Sequence, residues 1–248
     1  MPTTSVVIPV RNGEKFILHA IASVVAQLTD GDEIILVDDG STDRTRELVT
    51  ARFPDVRIVP SRGTGPSAGY NTGLSEARGT LVSFLDHDDW WPEHRHAVLL
   101  AALNDHPDAN AAFGRLRVAI EPEAGPLPIP VWEGRIVPAV VVSGIYRRDL
   151  LLAVGGFNER LNLAEDIDLH LRLEEAGLNV VLCEADTLVI RLHASNMTRN
   201  LRQQRADTAM LGVINERVRR RRRAASTARE AGSLAGTSST LSDPFVAS

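Results

Sequence analysis

Three carboxylates stand within four positions directly after a strongly apolar stretch. Asp86, Asp88 and Asp89 follow Leu81–Leu85, whose composition predicts a buried strand. Two carboxylates about 4 Å apart repel each other by roughly 4 kcal/mol at an effective dielectric of about 20, so a cation, hydrogen-bond donors or solvent must offset the repulsion. Mg²⁺ is usually bound by one or two carboxylates together with the phosphate oxygens of a substrate. The cluster therefore indicates either a divalent-metal site that carries phosphates or an acidic loop in solvent.

A second pair of acids follows another apolar strand. Asp38 and Asp39 come directly after Glu33–Val37, which is also predicted to be a buried strand. In an open α/β sheet, ligands bind in the crevice outside the carboxyl ends of the strands. Two predicted strands therefore deliver acids to the same edge of the sheet, and this coincidence is a stronger indication of a site than either cluster alone.

Further candidates lie in the second half of the chain. Glu165, Asp166 and Asp168 begin a predicted helix that reaches Gly177. Acids in the first turn of a helix are favoured by the helix dipole, so their spacing alone favours a structural role. His193 lies in a polar turn after a predicted strand. From the residues alone, it is as consistent with a surface histidine as with a ligand.

The elements that must position these residues alternate between strand and helix in the first half. Short connections between such elements predict an α/β fold with a mostly parallel sheet and right-handed crossovers. The Gly63-x-Gly65 loop lacks the spacing of a dinucleotide or phosphate-binding loop, so a connector is predicted there. The predicted strands are Ser5–Pro9, Glu33–Val37, Val56–Val59 and Leu81–Leu85, and the helices are Lys15–Gln27, Arg44–Ala51 with Ser41 or Thr42 as N-cap, and Ala68–Ala77.

The second half has a less regular pattern. Glu121–Pro130 is rich in proline and is predicted to be a loop. Leu201–Arg222 is predicted to form a cationic helix, and the Ala, Ser, Thr and Gly-rich sequence from Ala224 onward is predicted to be disordered. The other predicted elements are helices at Glu93–Asp105 and Arg148–Val154 and strands at Ala111–Ile120, Val137–Ser143, Val180–Cys183 and Thr187–Leu192.

Composition limits the classes of protein that fit. The 248 residues are 44% hydrophobic, and no run reaches the roughly 18 apolar residues of a membrane span. Met1–Thr4 leads directly into a predicted strand, so we expect no secretion signal and a cytoplasmic location. The single cysteine, Cys183, excludes an internal disulfide and lies in an apolar run, where we expect it to belong to the core.

The charge is unevenly distributed along the chain. The net charge is −5, although Arg217–Arg223 contributes six arginines. The acidic remainder argues against nucleic-acid binding and fits an enzyme that binds a cation. The arginine run itself has three interpretations. It is a solvated helix end, a contact with an acidic partner, or a weak contact with the inner membrane face worth about 1 kcal/mol per residue near anionic lipid.

Five motifs, in order, resemble those of the family 2 glycosyltransferases, which have the GT-A fold. The resemblance extends from about Thr4 to Arg199. It implies a Rossmann-like sheet with flanking helices, a nucleotide-sugar-binding half over residues 1–95 and an acceptor-binding half over 96–200, followed by a basic helix over 201–223 and a tail over 224–248. The motifs are Val6-Val-Ile-Pro9, Val37-Asp38-Asp39-Gly40-Ser41-Thr42-Asp43, Gly65-Pro-Ser-Ala68 with Asn71, Phe84-Leu-Asp86-His-Asp88-Asp89, and Val154-Gly-Gly-Phe157-Asn-Glu159 with Glu165-Asp166.

The resemblance also implies a role for each motif residue. Asp39 would bind the base of the nucleotide, usually uracil, and Asp86 the ribose. Asp88 would bind a divalent metal, Mn²⁺ or Mg²⁺, with His193 near the metal or the diphosphate, and Asp166 would be the general base. The residues implied for donor binding are Pro9, Arg11, Asp39, Asn71 and Asp86.

Two positions depart from the family pattern. Tyr70 stands where the family often has an arginine, and Arg11 stands where it often has a tyrosine. We expect Arg11 to offset part of the diphosphate charge that Tyr70 cannot. The implied function is inverting transfer of a sugar from a nucleoside diphosphate to a hydroxyl of a glycan, a lipid-linked or a small-molecule acceptor. The alternatives are a non-catalytic nucleotide-sugar-binding relative and, with less support, a nucleotidyltransferase.

Overall fold

Seven strands form one sheet in the computed structural model, which describes residues 3–125, 133–161 and 164–196. The order across the sheet is β3–β2–β1–β4–β6–β5–β7. Neighbours are parallel except where β6 lies antiparallel between β4 and β5. The strands are β1 (Thr4–Val10), β2 (Glu33–Asp38), β3 (Arg57–Pro60), β4 (Leu81–Phe84), β5 (Ala111–Ile120), β6 (Gly144–Arg147) and β7 (Val180–Leu192).

The first half follows the predicted strand–helix alternation. Every residue of β1 is buried, as expected for a central parallel strand covered on both faces. β1 pairs with β2 on one side and with β4 on the other, so the strands that precede the two acid clusters flank it. The helices are α1 (Ile17–Val25), α2 (Thr45–Arg52), α3 (Pro66–Glu76), α4 (Arg95–Asp105), α5 (Arg148–Ala153) and α6 (Glu165–Glu175).

The predicted cap of α2 is wrong. The helix begins at Thr45, and Asp43 Oδ1 accepts a hydrogen bond from the Thr45 backbone N–H at 3.0 Å. Ser41 and Thr42 instead bind Asn12 in the turn after β1. The N-cap position is Arg44, which has no side-chain capping hydrogen bond, and the contact with Asn12, remote in sequence, holds Ser41 and Thr42 away from the helix end.

The predicted strand over Val137–Ser143 is also wrong. A 3₁₀ turn occupies Val141–Ser143, and β6 begins only at Gly144. Val141 and Val142 are buried in the core, so the apolar β-branched run reflects burial and not an extended backbone.

The two predicted strands Val180–Cys183 and Thr187–Leu192 are one continuous strand, β7. The register against β5 shifts on either side of Arg115, next to Gly114, whose N–H donates to Thr187 Oγ1 at 3.1 Å. A side chain at Gly114 would lie 2.3 Å from Thr187 Cγ2, so glycine permits this close approach. The irregularity accommodates the polar Glu184–Asp186 stretch that suggested a break.

Other expectations are met or lie outside the described residues. Cys183 is buried, as expected for a core position. Of the predicted proline-rich loop, the described part contains a 3₁₀ turn at Pro122–Ala124. Among helices of the described residues, none is long and apolar enough to cross a membrane. The predicted basic helix over 201–223, with Arg217–Arg223, and the tail over 224–248 lie outside the described residues.

Candidate functional site

The turns after β1 and β2 are joined to each other. Asn12 N–H donates to Ser41 Oγ at 3.0 Å, and Asn12 Oδ1 accepts from Thr42 N–H at 2.8 Å. Asn12 has a φ of 54°, a left-handed conformation that asparagine tolerates better than most residues. These contacts hold the loop that carries Asp39 against the end of β1.

Asp39 connects this loop to the start of α3. Its Oδ2 accepts a hydrogen bond from Gly65 N–H at 2.9 Å and lies 3.9 Å from Arg11 Nη1. Gly65 has a φ of 86° and directly precedes Pro66, the first residue of α3. Arg11 is exposed, whereas the Asp39 side chain is largely covered. Two of the implied donor-binding residues are therefore neighbours at this edge.

Pro9 packs against the first turn of α3. A side chain at Gly69 would lie 2.7 Å from Pro9 Cβ, so the helix can approach β1 this closely only with glycine at position 69. Pro9 is buried. The contact that the structure gives it is therefore with the protein, and its contact with a nucleotide stays a prediction.

Asp86 is held by a buried tyrosine. The Tyr70 hydroxyl donates to Asp86 Oδ1, and the Tyr70 ring stacks on Phe157 with centroids 4.7 Å apart. Burial, together with the negative charge of Asp88, raises the pKa of Asp86 to about 6, while the tyrosine hydrogen bond opposes the rise. Sequence reasoning treated Tyr70 only as a missing arginine, and its contact with Asp86 is a finding of the structure.

Asp88 faces His193 across the site. His193 Nε2 lies 2.9 Å from Asp88 Oδ2, and Asn196 Nδ2 donates to the same oxygen at 3.3 Å. Burial favours the neutral form of Asp88. The hydrogen bond from His193 and the charges of His87 and His193 outweigh it, so the pKa is lowered. The structure therefore brings together the two residues predicted to bind the metal, 105 positions apart in the chain.

Arg191 fastens this arrangement, and sequence reasoning missed it. Its Nε donates to Asp88 O at 2.8 Å, and its backbone N–H donates to Asp89 Oδ1 at 2.8 Å. The guanidinium also donates to Glu121 Oε1 at 2.6 Å and lies over the Trp90 ring. An arginine inside an apolar strand was the only signal in the sequence, and it did not reveal these partners.

Asp166 lies in the first turn of α6, within reach of the charge of Asp86. Burial, followed by the charges of Glu165 and Asp86, raises its pKa well above the usual value, and a hydrogen bond from the Val141 backbone opposes the rise. Its charge in turn raises the pKa of Tyr70, after the larger effects of burial and Asp86. The predicted base and the predicted ribose ligand thus lie within electrostatic range of each other.

Asn71 bridges α3 and the Gly-Gly-Phe motif. Its Nδ2 donates to Phe157 O at 2.9 Å and to Glu159 Oε1 at 2.8 Å, and its Oδ1 accepts from Phe157 N–H at 2.7 Å. Both amide hydrogens are therefore bound within the protein. Contact between Asn71 and a donor stays a prediction, and what the structure gives it is this bridge.

Arg172 anchors α6 to the same motif. It pairs with Asp168 at 2.8 Å and donates to Val154 O at 2.8 Å and Gly156 O at 2.7 Å. The helix that carries Asp166 is therefore fixed to the loop that Asn71 holds. Asp168 is part of this structural anchor through its ion pair with Arg172.

The residues present fit a divalent cation that also takes ligands from a substrate. Within the described residues, no cluster of three or more His, Cys, Asp or Glu side chains could hold a metal alone. Asp88 Oδ2 and His193 Nε2 are two suitable donor atoms side by side, and His193 Nδ1 is held 2.9 Å from Ser195 Oγ. Oxygens of a diphosphate would have to complete the coordination.

Comparison with known proteins agrees with the fold and the motifs. The profile of "Glycosyl transferase family 2" matches residues 5–147. An uncharacterized glycosyltransferase of Nostoc sp. is 38% identical over 95 residues, which is 37% of this chain and 30% of the relative. Chondroitin synthase of Escherichia coli is 26% identical over 187 residues, which is 71% of this chain and 27% of the relative. The chain thus spans about a third or less of these relatives' lengths.

Solved structures show the same fold. Residues 1–349 of S. aureus TarS in complex with UDP match with a TM-score of 0.66 at 20% identity, over 76% of this chain and 60% of that one. The complex with UDP-GlcNAc matches with a TM-score of 0.67 at 20% identity, over 81% and 61%. These matches confirm the expected Rossmann-like fold with its mostly parallel sheet. Because the family profile covers more than half of the sequence, the chain belongs to glycosyl transferase family 2.

Proposed function

We propose that this chain transfers a sugar from a nucleoside diphosphate sugar to an acceptor hydroxyl, with inversion at the anomeric carbon. The observation that carries the proposal is the convergence of carboxylates from separate segments. Asp86 and Asp88 follow β4, and Asp166 on α6 is close enough to Asp86 for its pKa to respond. Helix α3 and the residue before it link Asp39 to Asp86, because Gly65 N–H donates to Asp39 and the Tyr70 hydroxyl donates to Asp86.

The donor would lie across the ends of β2, β1 and β4. Two strand spacings separate β2 from β4, about 10 Å, which suits a nucleoside between Asp39 and Asp86. A carboxylate accepts a hydrogen bond from the ring N–H of uracil, and the UDP complexes of TarS support uracil as the base. Arg11, beside Asp39, would offset part of the diphosphate charge.

Asp88 and His193 would hold the divalent cation. When bound, Mn²⁺ or Mg²⁺ would supply Lewis-acid stabilisation of the negative charge on the departing diphosphate. The protein's own contribution is to keep the two donor atoms together. Arg191 restrains Asp88 by a hydrogen bond to the Asp88 backbone carbonyl, and Ser195 restrains His193 by a hydrogen bond with its Nδ1.

Asp166 would accept the proton of the attacking hydroxyl. Burial raises its pKa, which makes its carboxylate a stronger base, and a positioned general base typically contributes about 10²–10⁴-fold. A single base, with no carboxylate assigned as a nucleophile, corresponds to one displacement and hence to inversion.

The acceptor would be a glycan, a lipid-linked or a small-molecule hydroxyl compound. We place the reaction in the cytoplasm and extend the proposal to weak contact with anionic lipid through Arg217–Arg223, which lie outside the described residues. Flotation with vesicles of anionic phospholipid tests this contact: binding at low salt that Arg-to-Ala changes in the run abolish supports it, and no binding contradicts it.

A nucleotide titration tests the proposed donor. The melting temperature is measured with UDP, GDP and dTDP, each with and without Mn²⁺. We expect UDP with Mn²⁺ to raise it most, because a ligand that binds only the folded protein stabilises it by mass action. Asp88→Asn should remove the Mn²⁺-dependent part, and Arg11→Ala should weaken UDP binding. No stabilisation by any of the nucleotides would contradict the proposal.

A further inference from the structure

Tyr70 lies where the donor side and the acceptor-side motif meet. Its side chain is only 2% exposed and stacks on Phe157, with the rings inclined by 21°. Phe84 packs against it in a T-shaped arrangement, with ring centroids 5.1 Å apart. The ring is therefore fixed by aromatic packing on two sides. This packing fixes the position of the Tyr70 hydroxyl, with or without the hydrogen bond to Asp86.

We propose that Tyr70 is a positioning residue that orients Asp86 for recognition of the donor ribose, an inference that rests on the proposed function. A carboxylate has two oxygens, and the Tyr70 hydroxyl donates to Oδ1 of Asp86. This contact leaves Oδ2 to accept a hydrogen bond from a ribose hydroxyl. The rotation of an aspartate carboxyl about its last bond is broad, so one fixed oxygen determines where the other points.

The hydroxyl acts here as a donor. Burial, followed by the charges of Asp86 and Asp166, raises the pKa of Tyr70 well above its usual value and so favours the protonated hydroxyl. Charge-assisted hydrogen bonds of this kind are short and strong compared with neutral ones. Tyr70 therefore restrains Asp86 more firmly than a solvent molecule would.

Removal of the hydroxyl should leave the packing intact. The side chain of the next residue, Asn71, binds both the backbone N–H and the carbonyl of Phe157. The Phe157 ring, which stacks on Tyr70, is therefore held in place without the Tyr70 hydroxyl. Phenylalanine at position 70 would keep the stacked ring and lose only the bond to Asp86. Tyr70→Phe is thus a specific change.

The matched control is the other buried tyrosine of the described residues, Tyr146. Its hydroxyl donates to the Val141 carbonyl at 3.2 Å and makes no contact with Asp86. Tyr146→Phe removes the same atom from a similarly buried ring. Any general effect of a lost buried hydroxyl on stability or nucleotide affinity should appear in both variants. An effect on ribose recognition should appear only in Tyr70→Phe.

The experiment is a calorimetric titration of UDP, 2′-deoxy-UDP and 3′-deoxy-UDP in the presence of Mn²⁺. We expect the wild type to prefer UDP over at least one deoxy analogue by about tenfold, the size of one hydrogen bond to a charged group. Tyr70→Phe should reduce this preference to about twofold or less, and Asp86→Asn should abolish it. Tyr146→Phe should keep the wild-type preference.

The outcomes distinguish a failure of the Tyr70 role from a failure of the proposed donor. If Asp86→Asn loses the preference but Tyr70→Phe keeps it, Tyr70 does not position Asp86. If Tyr70→Phe weakens all three nucleotides equally, its role is only structural and the inference is overturned. If the wild type binds UDP without preference, the ribose role of Asp86 fails, and if it binds none of the three, the proposed donor fails with it.

Discussion

At the scale of single residues, Asp166 combines a catalytic assignment with an unfavourable environment. Burial and the charges of Glu165 and Asp86 raise its pKa well above that of an exposed aspartate. As a general base it must be ionised. We therefore predict that kcat/KM falls with a slope of one as the pH decreases through this raised pKa, measured with a donor and acceptor pair that the protein accepts. A profile that stays flat as the pH is lowered from alkaline to acidic values would contradict the assignment.

The same pKa predicts a change in stability. A carboxyl whose pKa is raised by folding stabilises the folded state below its unfolded pKa, and this contribution is lost as the pH rises through the folded pKa. Asp166→Asn should therefore melt at a higher temperature than the wild type at pH 8 and at nearly the same temperature at pH 4. Each unit of pKa shift corresponds to about 3–5 °C for a protein of this size. A lower melting temperature for Asp166→Asn at pH 8 would contradict the account.

Not every site residue was readable from the sequence in the same way. Asp39, Asp86 and Asp88 follow apolar strands, and that pattern alone predicts their shared edge. The resemblance assigned Asp166 and His193, because their spacing also fits ordinary helix and turn residues. Arg191, Arg172 and the role of Tyr70 depend on contacts with partners 16 to 103 positions away, and no local pattern encodes such contacts.

At the scale of elements, the Gly-Gly turn after α5 decides how α6 approaches α3. Gly155 and Gly156 both have positive φ angles, 76° and 68°. A side chain at Gly156 would lie 2.4 Å from Asn71 Oδ1, whereas one at Gly155 would meet nothing within 4 Å. Both glycines thus have a left-handed backbone conformation, but only Gly156 lies against Asn71.

This difference gives a matched pair of variants. Gly155→Ala should cost about 1–2 kcal/mol of unfolding free energy, the penalty of a left-handed alanine. Gly156→Ala should cost about 1–3 kcal/mol more, because it also displaces Asn71 from the loop. Chemical denaturation measures both. Equal costs would mean that the Asn71 bridge does not constrain this turn.

Element boundaries were predicted less well than element types. The valine-rich stretch 137–142 predicts a strand because β-branched residues are common in strands, yet Val141 and Val142 lie buried in a 3₁₀ turn. Similarly, Glu184–Asp186 suggested a break in a strand that continues through a register shift at Gly114. In both places tertiary packing overrides a local preference.

At the scale of the whole molecule, a buried arginine connects three strands of the sheet, β4, β6 and β7. Arg95 donates to the carbonyls of Thr187 at 2.7 Å and Gly144 at 2.8 Å, and its guanidinium lies 3.9 Å above the Trp91 ring. Burial lowers its pKa to about 9. It thereby fixes β7, which leads to His193, relative to β6 and, through Ser83 Oγ at 3.4 Å, relative to β4, which leads to Asp88. Asp88 and His193, the pair proposed to bind the metal, thus follow two separate strands of one sheet.

The central claim is that acids from separate segments form a single site in which donor binding and proton removal are distinct tasks. The rate of UDP release from the UDP-sugar that the wild type uses, measured for Asp166→Asn, tests it most directly. We predict a loss of about 10²-fold or more, while UDP with Mn²⁺ still raises the melting temperature of the variant as it does for the wild type. A rate equal to that of the wild type would contradict the claim.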